Sequence, residues 1–376
     1  MATERNPFEQ IPQQGTNVVP MTPVPVGEEQ EATFELEPDG GVTVDFTNTV
    51  VMEAEAPVKE WYANLAETLD EGTLSEISST IYDNYNSDKN SRQEWESMFE
   101  RGFDLLGLKI QESSEPFEGA CSAVHPLLVE SAVKFQSKAS QELFPSAGPV
   151  KAQILGKSDP DREKQANRVQ NFMNYQLTEQ MPEYFDEFEK MLFHLPLIGS
   201  AFKKVYYDAN LKRPVSEFVP IDQFYVSYYA SNLRKADRYT HVIYRRPVDL
   251  AKDIRSGIYS HTDLPMATNP EPTAFASKMD TILGFSPTQD TDPQYVLLEQ
   301  HCYLEIDESN AEDGIALPYI VTIEEQSRNV LCIRRNYKAD DPNQEKINHF
   351  VHYRFVPGFG FYGFGLMHFL GNLTMS

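Results

Sequence analysis

The chain has 376 residues, of which 40% are hydrophobic, 24% charged and 12% aromatic, as is typical of a globular protein with one large domain or two ordinary ones. It carries 32 basic and 57 acidic side chains, so its formal net charge is −25. This charge excludes a protein that grips nucleic acid by neutralising phosphates, which requires clustered Lys and Arg. It is compatible with a protein through which DNA passes without being held.

Cysteine usage and the chain ends indicate the compartment. Three cysteines are too few for a disulfide scaffold, which indicates a reducing cytoplasm. No basic segment followed by an apolar one opens the chain, so no signal peptide is predicted. Residues 355–376 contain no acidic, Lys or Arg side chain and are long enough to span a bilayer. Because this stretch contains Pro357, His368, Asn372 and five glycines, we predict that it is buried in protein and not in a membrane.

The N-terminal part carries most of the charge, since residues 1–100 hold 21 acidic and 4 basic side chains. Five prolines by position 25 and an acidic run over 28–37 predict that residues 1–56 form a disordered arm. The alternative interpretation is that this segment is only a solubilising tail. Alternating residues over 42–46 predict a strand that forms where a partner offers a sheet edge.

Helical spacing of apolar residues dominates from residue 57 to 195. It predicts a helix over 57–72 ended by Gly72, a longer one over 74–108 broken by the polar stretch 86–92, and an amphipathic one over 124–143 ended by Pro145. Asp159 and Pro160 begin a further helix that stops before Pro182, and residues 183–195 form the next, burying Tyr184, Phe185, Phe188, Met191 and Leu192. A strand is predicted over 150–155.

After Gly199 the apolar period changes to two, which predicts strands. The expected strands cover 201–207, 215–219, 224–228, 239–245, 295–306, 315–324, 330–337 and 347–356. A short helix follows Asp249 and ends at Gly257, and residues 258–292 form a long exposed loop. Short turns between the later strands favour an antiparallel meander. The fold class is therefore α+β, with a helical N-terminal part followed by mixed and antiparallel β-structure with helices.

The glycine-rich run Gly358 to Gly365 contains a formal G-x-G-x-x-G pattern. A dinucleotide site also needs a βαβ unit and an acidic residue about 20 positions later, which the remaining chain does not provide. The pattern instead predicts a tight turn with buried aromatic side chains, where glycine lets backbones approach closely. An apolar helix over 366–373 follows.

Other candidate sites fail on spacing. Gly156-Lys157-Ser158 lacks the earlier glycine of a phosphate-binding loop, because position 151 is lysine. His349 and His352 point to opposite faces of a strand, as do His301 and Cys302, so no metal site is predicted. Cys121 has no histidine that can be placed beside it and is interpreted as a small residue at a helix start. The acid pairs Glu324-Glu325 and Asp340-Asp341 are expected to be solvated. We predict no catalytic residue and no cofactor, and the chain is expected not to be an enzyme.

Three segments carry a resemblance to a known family. They read Gly119-Ala-Cys-Ser-Ala-Val-His-Pro-Leu-Leu-Val-Glu-Ser-Ala-Val-Lys-Phe135 with Glu142-Leu-Phe-Pro145, Val219-Pro-Ile-Asp-Gln-Phe-Tyr-Val-Ser227 with Ala236-Asp-Arg-Tyr-Thr-His241, and Phe359-Gly-Phe-Tyr-Gly-Phe-Gly-Leu-Met-His-Phe-Leu-Gly371. The chain resembles the portal proteins, or head-to-tail connectors, of tailed bacteriophages, particularly short-tailed ones. The resemblance covers residues 115–376, about two-thirds of the chain.

This resemblance implies a structural subunit of a ring, usually a dodecamer, at one capsid vertex of the virion, assembled in the host cytoplasm. Double-stranded DNA enters the capsid through the ring during packaging and leaves through it at ejection, without sequence-specific binding. The implied partners are other copies of the chain, the large terminase subunit, the major capsid and scaffolding proteins, and head–tail adaptor or tail proteins, with no membrane. The resemblance assigns no channel-lining residue.

The implied organisation is an acidic arm over 1–56, a helical segment over 57–115 and a portal wing-like α+β region over 116–376. Portal proteins of this type continue into stem and clip elements, whereas this sequence stops at Ser376 inside an apolar helix, so we expect it to be truncated at the start of the stem. Two alternatives stay open. One is another capsid or head–tail adaptor component, and the other is an intracellular enzyme with an unrecognised site.

Overall fold

The computed structural model describes residues 33–36, 42–45, 61–104, 127–208, 211–270, 277, 292–306 and 315–369. The chain divides into two compact units, Met1–Pro57 and Val58–Ser376. In the first unit, strands β1 (Thr33–Leu36) and β2 (Val42–Asp45) form an antiparallel hairpin. The strand predicted over 42–46 is therefore present, and its partner is the chain itself. The other residues of the predicted arm lie outside the described part.

The second unit combines helices with two antiparallel sheets. Its helices are α1 (Glu71–Ser91), α2 (Gln93–Asp104), α3 (Leu127–Leu143), α4 (Pro160–Tyr175), α5 (Glu183–Ile198) and α6 (Pro247–Arg255). Its strands are β3 (Ser200–Asp208), β4 (Arg213–Val219), β5 (Phe224–Tyr225), β6 (Tyr239–Arg245), β7 (Tyr295–Leu304), β8 (Leu317–Glu324), β9 (Val330–Arg335) and β10 (Phe350–Arg354). This arrangement confirms the predicted α+β fold class.

The helix predicted over 57–72 is wrong beyond Trp61, which is itself helical. Only one 3-10 turn, Leu65–Glu67, lies there, and Gly72 belongs to the first turn of α1, which Asp70 caps by accepting a hydrogen bond from the Thr73 amide. The segment instead covers the edge of β9, where the Asn64 side chain donates to the Leu331 carbonyl and accepts from the Ile333 amide, both at 2.9 Å. An uncovered strand edge leaves such backbone groups without partners. The predicted break between the next two helices is confirmed at Arg92.

The meander prediction is confirmed for one sheet and wrong for the last strand. Strands β5 to β9 follow one another in an antiparallel five-stranded sheet. Strand β10 instead joins the three-stranded sheet β10-β3-β4, with Phe350 opposite Lys204 of β3. There β10 pairs with one edge of β3, and β4 pairs with the other. Alternation predicts a strand but does not specify its partner, because the alternation is a property of the strand alone.

The segment 150–155, predicted as a strand, pairs with helix side chains and not with a sheet. The Val150 amide donates to Asn174 Oδ1, and the Ala152 amide donates to Gln170 Oε1. Both partners belong to α4, which begins at Pro160 as predicted and continues into a π-helical turn, Gln176–Gln180, before Pro182. These side chains satisfy backbone groups that a neighbouring strand would otherwise bind.

Two predictions of exposure are wrong in part. Phe185, predicted to be buried in α5, is 43% exposed, although Met191 and Leu192 of the same helix are buried. The predicted exposed loop over 258–292 begins with Tyr259 and Ser260, which are buried against the five-stranded sheet. Most of its later residues lie outside the described part. Within the described ranges, no helix is long and apolar enough to cross a membrane.

Candidate functional site

A cluster of polar side chains lies between the two sheets of the second unit. The Lys204 Nζ atom of β3 contacts both carboxylate oxygens of Glu299 on β7, at 2.7 and 2.8 Å. The Nε2 atom of His301 lies 3.3 Å from Glu299 Oε1, and the Nδ1 atom of His241 lies 3.8 Å from the same oxygen. Asn336 continues the cluster to His301 Nδ1 at 3.4 Å. We call these residues the inter-sheet cluster.

Strand register brings the cluster together. His241 of β6 lies directly opposite Glu299 of β7, and Tyr239 lies opposite His301. Glu299 and His301 are two residues apart and therefore share a face of β7. Comparing His301 only with its neighbour Cys302 does not reveal this site, because Cys302 points to the other face of the strand. The spacing of two residues between Glu299 and His301 on a predicted strand indicates that both side chains lie on one face, and this pattern could have identified the site.

Charge in the inter-sheet cluster resides on one ion pair. Burial would raise the pKa of Glu299, but the Lys204 ammonium and the two imidazoles hold it well below its usual range. Burial lowers the pKa of His301 to about 4 and also lowers that of His241, so both rings are neutral at pH 7. The cluster is therefore suited to joining the sheets. A cation would have to displace Lys204 from Glu299, and no group of three or more potential ligands among the described residues is arranged for a metal.

His349 and His352, predicted to point to opposite faces of one strand, contact different groups, and only His352 lies within β10. His349 contacts Asn336 of the inter-sheet cluster, with its Nε2 atom 3.2 Å from Asn336 Oδ1. His352 stacks between Phe202 and Phe361, with its ring centroid 4.6 Å from each, and its Nε2 atom lies 3.2 Å from Ser200 Oγ. Burial lowers the pKa of His352 to about 3. It therefore packs as a neutral aromatic ring.

We expect the buried histidines to make the protein acid-labile. Between pH 6.5 and the lower pKa values of the folded state, the unfolded chain binds more protons, so stability decreases as the pH falls through that window. The substitution His352→Phe keeps the ring stacking, and Ser200 Oγ still accepts from the Gly363 amide. In urea titrations we expect this variant to lose about 1–2 kcal/mol less stability than the wild type between pH 7 and 4.5. His261→Asn, at an exposed position, serves as the control, and equal pH profiles for all three proteins would contradict the prediction.

A second buried polar side chain with several partners is that of Arg92, at the break between α1 and α2. Its side chain is fully buried, and its Nη1 atom donates to the carbonyls of Ile221 and Phe224 at 2.9 and 2.6 Å. The guanidinium lies 3.8 Å from the ring centroid of Tyr225 and pairs with Glu96 at 2.6 Å. Arg92 thus fastens the helical segment to the turn that precedes β5. The position of Arg92 between two predicted helices does not indicate from the sequence which residues it contacts.

The glycine-rich run forms the predicted tight turn. A Cβ atom on Gly365 would lie 2.2 Å from the Leu197 carbonyl oxygen, and one on Gly199, whose φ is +98°, would lie 2.3 Å from the Phe364 carbonyl carbon. The two backbones therefore touch where only glycine fits. Phe361 and Tyr362 are 1% exposed, as expected, whereas Phe359 is 99% exposed. Residues 370–376, including the predicted chain stop, lie outside the described part.

The described parts of the three resembling segments meet in one hydrophobic core. Its members include Leu128 and Ala132 of α3, Val219, Ile221, Phe224, Val226, Ala236 and Tyr239 around β5, and Phe361, Tyr362 and Met367. The Tyr362 hydroxyl donates to the Val226 carbonyl at 2.9 Å, and the Phe361 amide donates to the Tyr228 carbonyl at 2.9 Å. Cys121 of the first segment lies outside the described residues.

No family model matches this chain, and no curated protein is significantly similar to it.

A cleft of about 840 Å³ lies between α1 and the ends of strands β5 to β8. Its lining includes Tyr82, Tyr85, Lys89, Asp222, Tyr225, Tyr244, Tyr295, Glu324, Glu325 and Arg328. The Arg328 guanidinium lies 4.2 Å from the ring centroid of Tyr82. Such a volume is in the range of small-molecule sites. This cleft is where the enzyme alternative would place a substrate.

The acid pair at this cleft corrects another prediction. Glu324 is only 3% exposed and accepts hydrogen bonds from the amide and hydroxyl of Ser327, both at 2.6 Å. Burial raises the pKa of the neighbouring Glu325. Both acids were expected to be solvated, but Glu324 is buried and closes the turn between β8 and β9, where its carboxylate accepts from the Ser327 amide. Asp340 is exposed, and Asp341 accepts from the amides of Asn343 and Glu345.

Proposed function

We propose that this chain is a structural subunit of the ring-shaped portal at the capsid vertex of a tailed bacteriophage. The observation that carries the proposal is the common core of the three resembling segments. They are separated by about a hundred residues in sequence, yet Leu128, Phe224 and Phe361 belong to one buried cluster. Scattered surface similarity would not require such packing, whereas a shared wing-like module would.

The charge of the chain supports a conduit. A net charge of −25 per subunit, repeated around a ring, repels the phosphates of DNA and favours passage over binding. In this proposal the ring forms the channel for packaging and ejection. It also docks the large terminase subunit, the capsid and scaffolding proteins, and the tail or adaptor proteins.

Helix α4 supports assembly into a larger structure. None of its sixteen residues is buried. The polar residues Gln170 and Asn174 face the body of the protein through their bonds to segment 150–152, whereas Val169, Phe172 and Met173 are 48%, 59% and 42% exposed. A surface helix of a monomer turns its apolar side chains to the core and its polar ones to solvent, so the orientation of α4 is the reverse. We assign the outer face to contact with a second copy of the chain, because these apolar side chains require a partner surface. The helix also exposes three basic residues (Arg162, Lys164 and Arg168) against two acidic ones (Asp161 and Glu163), an excess of one positive charge that suits an acidic neighbour.

Electron microscopy of the purified protein tests the proposal. We expect rings of about a dozen subunits with a central channel of roughly 20 Å or more, wide enough for a DNA duplex whose major groove alone is about 12 Å wide. Rings of another symmetry would favour the head–tail adaptor alternative. Monomers alone at micromolar concentration would contradict a portal.

The substitution Phe172→Ser is expected to reduce ring assembly about tenfold or more, because exposed aromatic side chains often carry much of an interface's energy. The folded subunit should be stable, since Phe172 is 59% exposed. Sedimentation velocity measures the fraction assembled, and thermal melting measures the stability. Met266→Ser, at a residue that is 89% exposed elsewhere, is the matched control. Equal assembly of both variants would show that α4 lies outside the interface.

A further inference from the structure

The side chain of Lys203 is buried beside a small cavity. It lies in β3, its residue is 2% exposed, and its Nζ atom has no hydrogen-bond partner among the described residues. The next residue, Lys204, points to the opposite face and pairs with Glu299. The ammonium lies over the rings of Tyr184 and Phe188, 4.4 and 4.8 Å from their centroids, and these aromatic faces stabilise its charge. Its N–H donors still lack an oxygen acceptor, which a ligand in the adjoining space would supply.

A cavity of about 230 Å³ lies at the Lys203 side chain. Its polar lining comes from Gln176, Tyr184, Ser216 and Tyr353, and its apolar lining from Leu177, Met181, Val205 and Pro214. One wall belongs to the π-helical turn Gln176–Gln180. Such turns are frequent at functional sites, because the extra residue changes the direction of nearby side chains.

The groups around the amine favour an anion. Glu187, the acidic side chain whose charge acts on Lys203, is engaged by Lys190 at 2.7 Å and by the Phe218 amide at 2.9 Å. Burial raises the pKa of Tyr184 and of Tyr353, so both hydroxyls keep their protons as donors. Burial lowers the pKa of Lys203 to about 8, which leaves the amine mostly protonated at pH 7.

We propose that this cavity binds a small aliphatic monocarboxylate, with its carboxylate on the Lys203 ammonium and its short alkyl chain against the apolar wall. A single cation matches a single negative charge, and hydroxyl groups supply further donors. The volume suits a ligand of a few carbon atoms, since pockets for drug-sized ligands have volumes of about 300 Å³ or more. This site is separate from the inter-sheet cluster and does not depend on the proposed portal function.

Calorimetric titration of the full chain with sodium propionate at pH 7, against sodium chloride at equal ionic strength, tests the proposal. We expect saturable binding that is at least about tenfold weaker in Lys203→Met and unchanged in Lys138→Met, which alters an exposed lysine. The dissociation constant should also rise about tenfold or more between pH 7 and 9.5, because the amine loses its proton through about pH 8.

A second variant keeps the proposal open to refutation if Lys203→Met folds poorly. Ser216→Ala removes a buried lining hydroxyl without altering charge, and it should weaken propionate binding several-fold. A glutamate side chain of another copy has the same chemistry, and dissociation of assembled protein by propionate would identify that source. No saturable binding to the wild type up to about 50 mM, or equal binding to Lys203→Met, would overturn the site.

Discussion

Replacing Lys204 by methionine is expected to lower the free energy of unfolding by about 3 kcal/mol. The side chains of Lys204 and Glu299 are only 15% and 13% exposed, so the substitution leaves a largely buried carboxylate without its cation. In this cluster the carboxylate would then face only the neutral rings of His241 and His301, which stabilise its charge less than an ammonium does. Urea unfolding at pH 7 measures the change. A double variant, Lys204→Met with Glu299→Leu, should recover part of the loss, because neither charge remains.

The adjacent lysine provides the matched control. Lys203→Met makes the same chemical change on the same strand, but it removes an amine that has no hydrogen-bond partner in the described structure. That amine lies over the rings of Tyr184 and Phe188, so losing these cation–π contacts offsets the gain from removing a buried charge. We therefore expect the stability of this variant to change by no more than about 1 kcal/mol. Equal losses from the two substitutions would contradict the assignment of Lys204 to a buried ion pair.

The substitution Gly365→Ala is expected to destabilise the fold by about 3 kcal/mol or more. The added methyl group would lie 2.2 Å from the Leu197 carbonyl oxygen and 2.6 Å from the Gly199 amide nitrogen. Both atoms belong to the backbone at the junction of α5 and β3, so a side-chain rotation cannot relieve the contact. Thermal unfolding and the yield of folded protein measure the effect.

Gly72→Ala is the control for that variant. Gly72 lies in the first turn of α1, and the nearest atom to an added Cβ is the Asp70 carboxylate oxygen at 3.1 Å, which belongs to a flexible side chain. Alanine favours helix over glycine by about 0.5–1 kcal/mol, so this variant should be as stable as the wild type or more stable. If Gly365→Ala behaved in the same way, the close approach of the two backbones would be refuted.

Local periodicity was sufficient to locate most of the regular elements. Strand β6 has the predicted bounds, Tyr239–Arg245, and α3 ends at Leu143 as predicted. The helix predicted over 57–72 does not continue past Trp61, because Leu65 and Leu69 pack against the core of the five-stranded sheet without a continuous helix. There the Trp61 ring packs against Tyr337, 5.6 Å between centroids, and Asn64 bonds to the edge of β9. Periodicity identifies the buried side chains but not the surface that buries them.

Local sequence patterns could not predict the candidate sites. Lys204 and Glu299 are 95 residues apart, and Arg92 and Tyr362 are 270 apart. The sequence contains each of these residues but not their proximity. Lys204 and Glu299 belong to different sheets, and Arg92 lies at a helix break, so their contacts depend on how the sheets and helices pack together. The adjacent lysines 203 and 204 illustrate the limit, since both are charged residues on one strand and only one acquires a carboxylate.

By itself, the sequence determined the α+β class, most helix and strand positions, the acidic charge and the tight glycine-rich turn. Each of these depends on neighbours along the chain or on composition alone. The tertiary structure decided the partner of β10, the inter-sheet cluster, the cavity at Lys203 and the outward apolar face of α4. Each of these depends on which surfaces meet, and that is settled by the burial and hydrogen bonding of the whole unit together.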